Sequence, residues 1–269
     1  MDNTLWHFGD SFGCWGNPQQ PEKSAKKGFS KYIAEYYNLH YKHHAVEGSS
    51  NDEITKNIIS NIGKFKKNDT ILINWSFFTR YCFTNIYGTV KNINHVLNNL
   101  EVSNGKYTVT PDDLDYKKFE FESKEYYDYV LFQKSSFVIE ESIVHWKQFI
   151  NPILLYIQND LKCNVISTFN DLVLEAAYID KSQPSKYVAS WEHIEDVSKI
   201  MILDNSLKEI IWDDKDTKYV RFLQDNDYYK DGEDVHYKFG VQESLSKEWI
   251  VRLETQFKLS EKYNKKSTI

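Results

Sequence analysis

Short apolar runs alternate with stretches of helical spacing through the N-terminal third of the chain. Residues 4–8 (Thr-Leu-Trp-His-Phe) have the length and character of a strand, and the run stops at Gly9. Residues 22–37 then place Phe29, Ile33 and Tyr36 on one side of a helix. A second strand is expected over 41–46. It is followed by a helix carrying Ile54, Ile58, Ile59 and Ile62, with Ser50 or Asn51 at its cap. Residues 70–73 are apolar and β-branched, the pattern of a strand buried on both faces. Two such strand–helix–strand units in quick succession predict a parallel sheet with right-handed crossovers.

The next run of strand character, 164–167, comes far later than a crossover of about a dozen residues requires. Extra structure is therefore expected between the third and fourth strands. Residues 86–100 have helical spacing, and 102–109 read as a hairpin around Asn104-Gly105. A long amphipathic helix over 136–161, kinked at Pro152, returns the chain to the sheet. A fifth strand is expected over 199–204, a polar outer stretch over 213–234 and a last helix over 241–258. These elements predict an α/β, three-layer, flavodoxin-like architecture. Its central parallel sheet has about five strands in the order 2-1-3-4-5. One domain would cover residues 1–260, with an insertion over about 86–135 and a frayed tail at 261–269.

Composition narrows the function classes. The 269 residues carry a net charge of −6 and no basic stripe, which argues against a nucleic-acid partner. Cys14, Cys82 and Cys163 are widely separated, so neither a disulfide framework nor a zinc site follows, and a reducing compartment is expected. The N-terminus lacks the pattern of a signal peptide, and the apolar run at 149–157 is broken by Asn151 and Pro152. A soluble protein without membrane span, metal or cofactor is the expectation. The 19 Tyr, 16 Phe and 7 Trp can furnish both a core and a sugar-facing surface.

Candidate chemistry gathers at strand ends. Gly9-Asp10-Ser11-Phe12-Gly13 follows the first strand, Glu47-Gly48-Ser49-Ser50-Asn51 the second, and Asn74-Trp75-Ser76 the third. In a parallel sheet all three loops leave one edge. The order 2-1-3 sets Ser11 between the other two, at the switch point where such sheets bind ligands. Asp231-Gly232-Glu233-Asp234-Val235-His236 precedes the last helix.

Together these motifs resemble the SGNH, or GDSL-type, hydrolases, in the family's order and across nearly the whole chain. The resemblance implies Ser11 as nucleophile, with its own N–H and that of Gly48 as oxyanion donors. It implies His236 as base, and Asp234 or Glu233 as the carboxylate that holds the imidazole. The family's third motif, Gly-x-Asn-Asp, is altered here. Its asparagine is either displaced to Asn74 or replaced by Ser76, and Arg80 lies within reach of the same loop. Asp10, Asn51, Trp75 and Arg80 complete the candidate substrate-binding set, although Asp10 also suits a turn and Trp75 and Arg80 also suit a covered sheet edge.

The implied reaction is hydrolysis of an acyl ester, with an acetylated carbohydrate first and a longer acyl chain second. The sugar reading rests on Trp15, Trp75, Phe77, Phe78 and Tyr81, which core packing explains equally well. A glycan-binding or assembly module on the same fold is the non-enzymatic alternative. The composition also resembles SGNH proteins of phages with AT-rich genomes, which implies a cytoplasmic or virion-associated protein. The 86–135 insertion would then mediate homo-oligomer or virion contacts. His7, His40, His43, His44, His95, His145 and His193 have no ligand spacing and read as structural or surface residues. His43 and His44 point to opposite faces of their strand.

Overall fold

The strand Thr70–Trp75 is buried at all six positions, as its uninterrupted Thr-Ile-Leu-Ile-Asn-Trp run requires. It is the middle strand of the sheet in the computed structural model of the chain. This structure describes residues 3–10, 13, 27–46, 49–76, 81–84, 90–93, 100–103, 106–109, 139–169, 203–210, 212 and 241–263. Its elements are β1 (Thr4–Gly9), α1 (Phe29–Tyr36), β2 (His40–Ala45), α2 (Asn51–Asn61), β3 (Thr70–Trp75), β4 (Tyr81–Thr84) and β5 (Val90–Ile93). They continue with β6 (Leu100–Ser103), β7 (Lys106–Val109), α3 (Ile139–Asn159), β8 (Asn164–Phe169), β9 (Lys208–Glu209) and α4 (Gln242–Phe257).

Five strands form one sheet in the order β2-β1-β3-β8-β9, and every neighbouring pair is parallel. This is the expected 2-1-3-4-5 order. Strand parity then divides the core into two halves. Trp6, Phe8, Ile71, Ile73 and Trp75 face Ile54 and Ile58 of α2 and Ile143, Ile150 and Leu154 of α3. Leu5, Leu72 and Ile166 face Phe29 and Ile33 of α1 and Leu245, Trp249 and Leu253 of α4. Each fully buried large apolar side chain contributes about 1.5–3 kcal/mol, so two apolar layers hold the sheet between helix pairs.

Local chemistry sets the helix ends. Ser50 caps α2 by accepting the Glu53 N–H at 3.3 Å, and Asp52 and Glu53 place negative charge in the first turn. At the opposite end of the sheet, Asp69 accepts from Thr4 N, Trp6 Nε1 and Lys66 N at 2.8–3.0 Å. The loop before β3 is thereby fastened to β1.

Two expectations change. Residues 90–93 and 100 are strand rather than helix, because β5 pairs antiparallel with β4 and Leu100 opens the β6–β7 hairpin. Cross-strand pairing overrides helical spacing there. The fifth strand is β9, not 199–204: Asp204 accepts from Ser206 N and Oγ, and Leu207 N closes a turn onto Asp204 O. Residues 199–202 lie outside the described residues. Tyr263 is buried, and its hydroxyl donates to Asn68 O at 2.6 Å. The helix α3, with Pro152 inside it, lies within the expected 136–161 span.

The hairpin around Asn104-Gly105 pairs Ser103 with Lys106, as a two-residue turn dictates. Among the described residues, no helix is long and apolar enough to cross a membrane.

Candidate functional site at the C-terminal edge of the sheet

Three strand ends meet where β1, β2 and β3 finish. Gly9 pairs with Ala45 on one side and Asn74 on the other, so the segment after β1 emerges between its neighbours. Gly13 N donates to Asp10 O at 3.0 Å, the hydrogen bond of a turn that follows β1 directly. Ser11, Gly48, Arg80, Glu233, Asp234 and His236 themselves lie outside the described residues.

Two glycines let this turn sit down on the sheet. A Cβ at Gly9 would lie 2.9 Å from Asn74 Cβ and 3.1 Å from Asn74 O. A Cβ at Gly13 would lie 2.6 Å from His7 Cε1 and 3.2 Å from Ala45 Cβ. Any larger residue at either position pushes the turn away from the strands.

Asp10, Asn51 and Ser76 are brought together. The Ser76 hydroxyl donates to Asp10 Oδ2 at 2.9 Å. The Ser76 N–H donates to Asn51 Oδ1 at 2.7 Å, and Asn51 Nδ2 donates back to Ser76 O at 3.0 Å. All three residues are buried, so these bonds are made away from bulk water and fix the three loops relative to one another.

Asn74 is separate from that cluster. Its side chain lies on the sheet face shared by His7 and Leu72, and its Oδ1 lies 2.9 Å from His7 Nε2. An amide oxygen can only accept, so His7 carries its proton on Nε2. The Asn74 Nδ2 atom is buried and has no hydrogen-bond partner among the described residues. Burial holds the His7 pKa down from 6.5 to about 3, with the neighbouring His43 acting in the same direction. The imidazole is therefore neutral across the physiological range. His43 continues the polar line, its Nδ1 lying 2.9 Å from the Tyr41 hydroxyl, which is 2.7 Å from Ser30 Oγ. His44 faces the opposite side, stacked near Trp6 and Phe8.

Trp75 lies wholly in the core, edge-on to Trp146 with ring centroids 4.7 Å apart and stacked near Phe169. Packing thus accounts for this aromatic residue without a sugar. The residue that sequence reasoning passed over is His7. The available signal was its parity with Gly9: two positions apart on one strand, they face the same side, and a glycine there leaves room for a neighbour's polar side chain. Among the described residues, no cluster of three His, Cys, Asp or Glu side chains could hold a metal ion.

No family model and no curated protein matches the chain. Among solved structures it is similar to the protein YxiM of Bacillus subtilis, at 12% identity and a TM-score of 0.46. That match covers 95% of this chain and 57% of the other, so this chain spans little more than half its length. It is also similar to a lipase from a goat rumen metagenome, at 15% identity and a TM-score of 0.44, covering 93% of this chain and 97% of that one.

Proposed function

We propose that the protein is a serine ester hydrolase of the SGNH type whose reaction takes place at the C-terminal edge of β1, β2 and β3. One observation supports the reading: hydrogen bonds among Asp10, Ser76 and Asn51 join the ends of β1 and β3 to the start of α2, next to the sequence positions of the Gly-Asp-Ser and Gly48 motifs. Ser11 is the nucleophile in this reading. His236 takes its proton and returns it to the leaving alcohol, while Asp234 or Glu233 stabilises the imidazolium. The N–H groups of Ser11 and Gly48 receive the oxyanion. The third donor is Asn74, whose Nδ2 hydrogens are uncommitted, rather than Ser76, whose hydroxyl proton is already given to Asp10. Three donors in a water-poor site are worth having, since losing one typically costs about 10²–10³ in rate.

The substrate is an acyl ester, with a short acyl group on a carbohydrate as the first candidate. Treating the protein with a fluorophosphonate probe and assaying an aryl acetate tests the reading. Labelling at Ser11 that disappears in His236→Ala supports it. A folded protein that neither labels nor turns over aryl esters of any chain length favours a glycan-binding or assembly module instead. A rate that rises with acyl length moves the substrate from acetyl esters to lipids or thioesters.

A further inference from the structure

We infer that His7 is a positioning residue for the proposed hydrolase site, holding the Asn74 carboxamide with its oxygen inward and its amide hydrogens free for the oxyanion. The inference rests on the reading given under Proposed function and names a residue that reading does not otherwise use.

The geometry is built by strand register. His7 pairs with Leu72, and Gly9 pairs with Asn74, so the Asn74 side chain must reach back two register positions along the sheet to meet the imidazole. Gly9 leaves the passage open, because a Cβ there would collide with Asn74 Cβ. The ring itself is closed in on several sides. Phe29 meets it edge-on at 5.4 Å, His43 tilts against it at 5.2 Å, and Gly13 lies against its Cε1–Nε2 edge. His7 and Asn74 are both 0% exposed. A ring so enclosed has little room to turn, and its Nε2–H selects which end of the carboxamide faces it.

The remaining end is unusual in energetic terms. A buried amide nitrogen without a partner forgoes its hydration for nothing in return, and folded proteins rarely keep one without a reason. A donor reserved for charge that appears only during the reaction is such a reason. Replacing His7 by an apolar ring of similar size removes the constraint on the carboxamide while keeping the core filled. The oxygen could then turn toward the reacting edge, where it repels the oxyanion.

The test compares kcat and KM on an aryl acetate for the wild type, His7→Phe, His7→Gln, Asn74→Ala and the His7→Phe/Asn74→Ala pair. The expected result is a fall in kcat for His7→Phe of tens-fold, within the roughly 10²–10³ that one oxyanion donor supplies, with KM little changed. His7→Gln, which keeps an N–H donor, recovers most of it. The double variant is no slower than Asn74→Ala alone, because both changes remove the same donor. Losses that multiply, or a change confined to KM, overturn the inference while leaving the hydrolase reading intact. A wild type that neither labels at Ser11 nor turns over ends both. Nitrogen-15 spectra of the wild type give an answer independent of how the variants fold: a His7 proton on Nδ1 instead of Nε2 overturns the inference.

Discussion

The Ser76 hydroxyl donates to Asp10 Oδ2 across 2.9 Å, joining the ends of β1 and β3 through two residues sixty-six positions apart. Both are fully buried, so the bond is not exchanged for water. Ser76→Ala leaves the Asp10 carboxyl short of a donor, and a loss of about 1–3 kcal/mol is expected in urea unfolding. The same change should lower kcat less than Asn74→Ala does. A greater kcat loss in Ser76→Ala would move the third oxyanion donor to Ser76.

Gly13→Ala is expected to be damaging out of proportion to one methyl group. The added Cβ would lie 2.6 and 2.8 Å from His7 Cε1 and Nε2, and the buried imidazole already has Phe29 and His43 against it. Overpacking of this kind typically costs about 1–3 kcal/mol. The turn relieves it by lifting off the sheet and carrying residue 11 with it. The variant should therefore fold, with a lowered urea midpoint, yet label poorly with a fluorophosphonate. Wild-type labelling in Gly13→Ala would show that the turn does not need its seat on His7.

Tyr263 ties the end of the chain to the sheet. Its hydroxyl donates to Asn68 O at 2.6 Å, accepts from Asn164 Nδ2 at 2.6 Å and lies 2.7 Å from Thr70 Oγ1. Tyr263→Phe keeps the ring and strands those partners. A destabilisation of about 1–3 kcal/mol with unchanged kcat is expected, because the contact lies at the opposite end of the strands from the candidate site. A melting temperature equal to the wild type would mean that water replaces the hydroxyl.

What the amino-acid order reveals follows from how each signal arises. β1, β3 and β8 are visible because burial on both faces demands largely apolar runs, whereas the edge strand β2, His-Tyr-Lys-His-His-Ala and mostly part-exposed, is marked by its place between two helical stretches. The strand-end loops are visible because glycine, serine and asparagine mark them. β9 is hidden since two residues, Lys208 and Glu209, carry no periodicity. The 90–93 strand is hidden because its partner across the ladder, not its own spacing, decides its state. Tyr263 sits in a polar tail with no apolar pattern to announce it. His7 is the instructive omission at the site. A histidine within a strand says nothing alone, and its meaning appears only once register sets Gly9 beside Asn74. The Gly9-Asp10-Ser11 and Asp231–His236 stretches, by contrast, stand out as motifs in the sequence, and Ser11 and His236 lie outside the described residues.

His7 also makes stability depend on pH in a definite direction. Its folded pKa is about 3 against 6.5 for a free imidazole, chiefly from burial and then from His43 on β2. His44 acts the same way on the ring, whereas the Asn74 hydrogen bond on β3 opposes the shift. Between those two values the unfolded chain holds a proton that the folded chain does not, so acid favours unfolding. The full contribution of neutral His7 is present above about pH 6.5 and is lost as pH falls toward 3, by at most about 1.4 kcal/mol per unit. His44, itself lowered by burial, adds a slope of the same sign in the wild type. His7→Gln has no imidazole to protonate at this position, so its urea midpoint should fall less steeply from about pH 7 to pH 4.5. Parallel curves for the two proteins would mean that the His7 ring is hydrated in solution and takes up its proton at an ordinary pH.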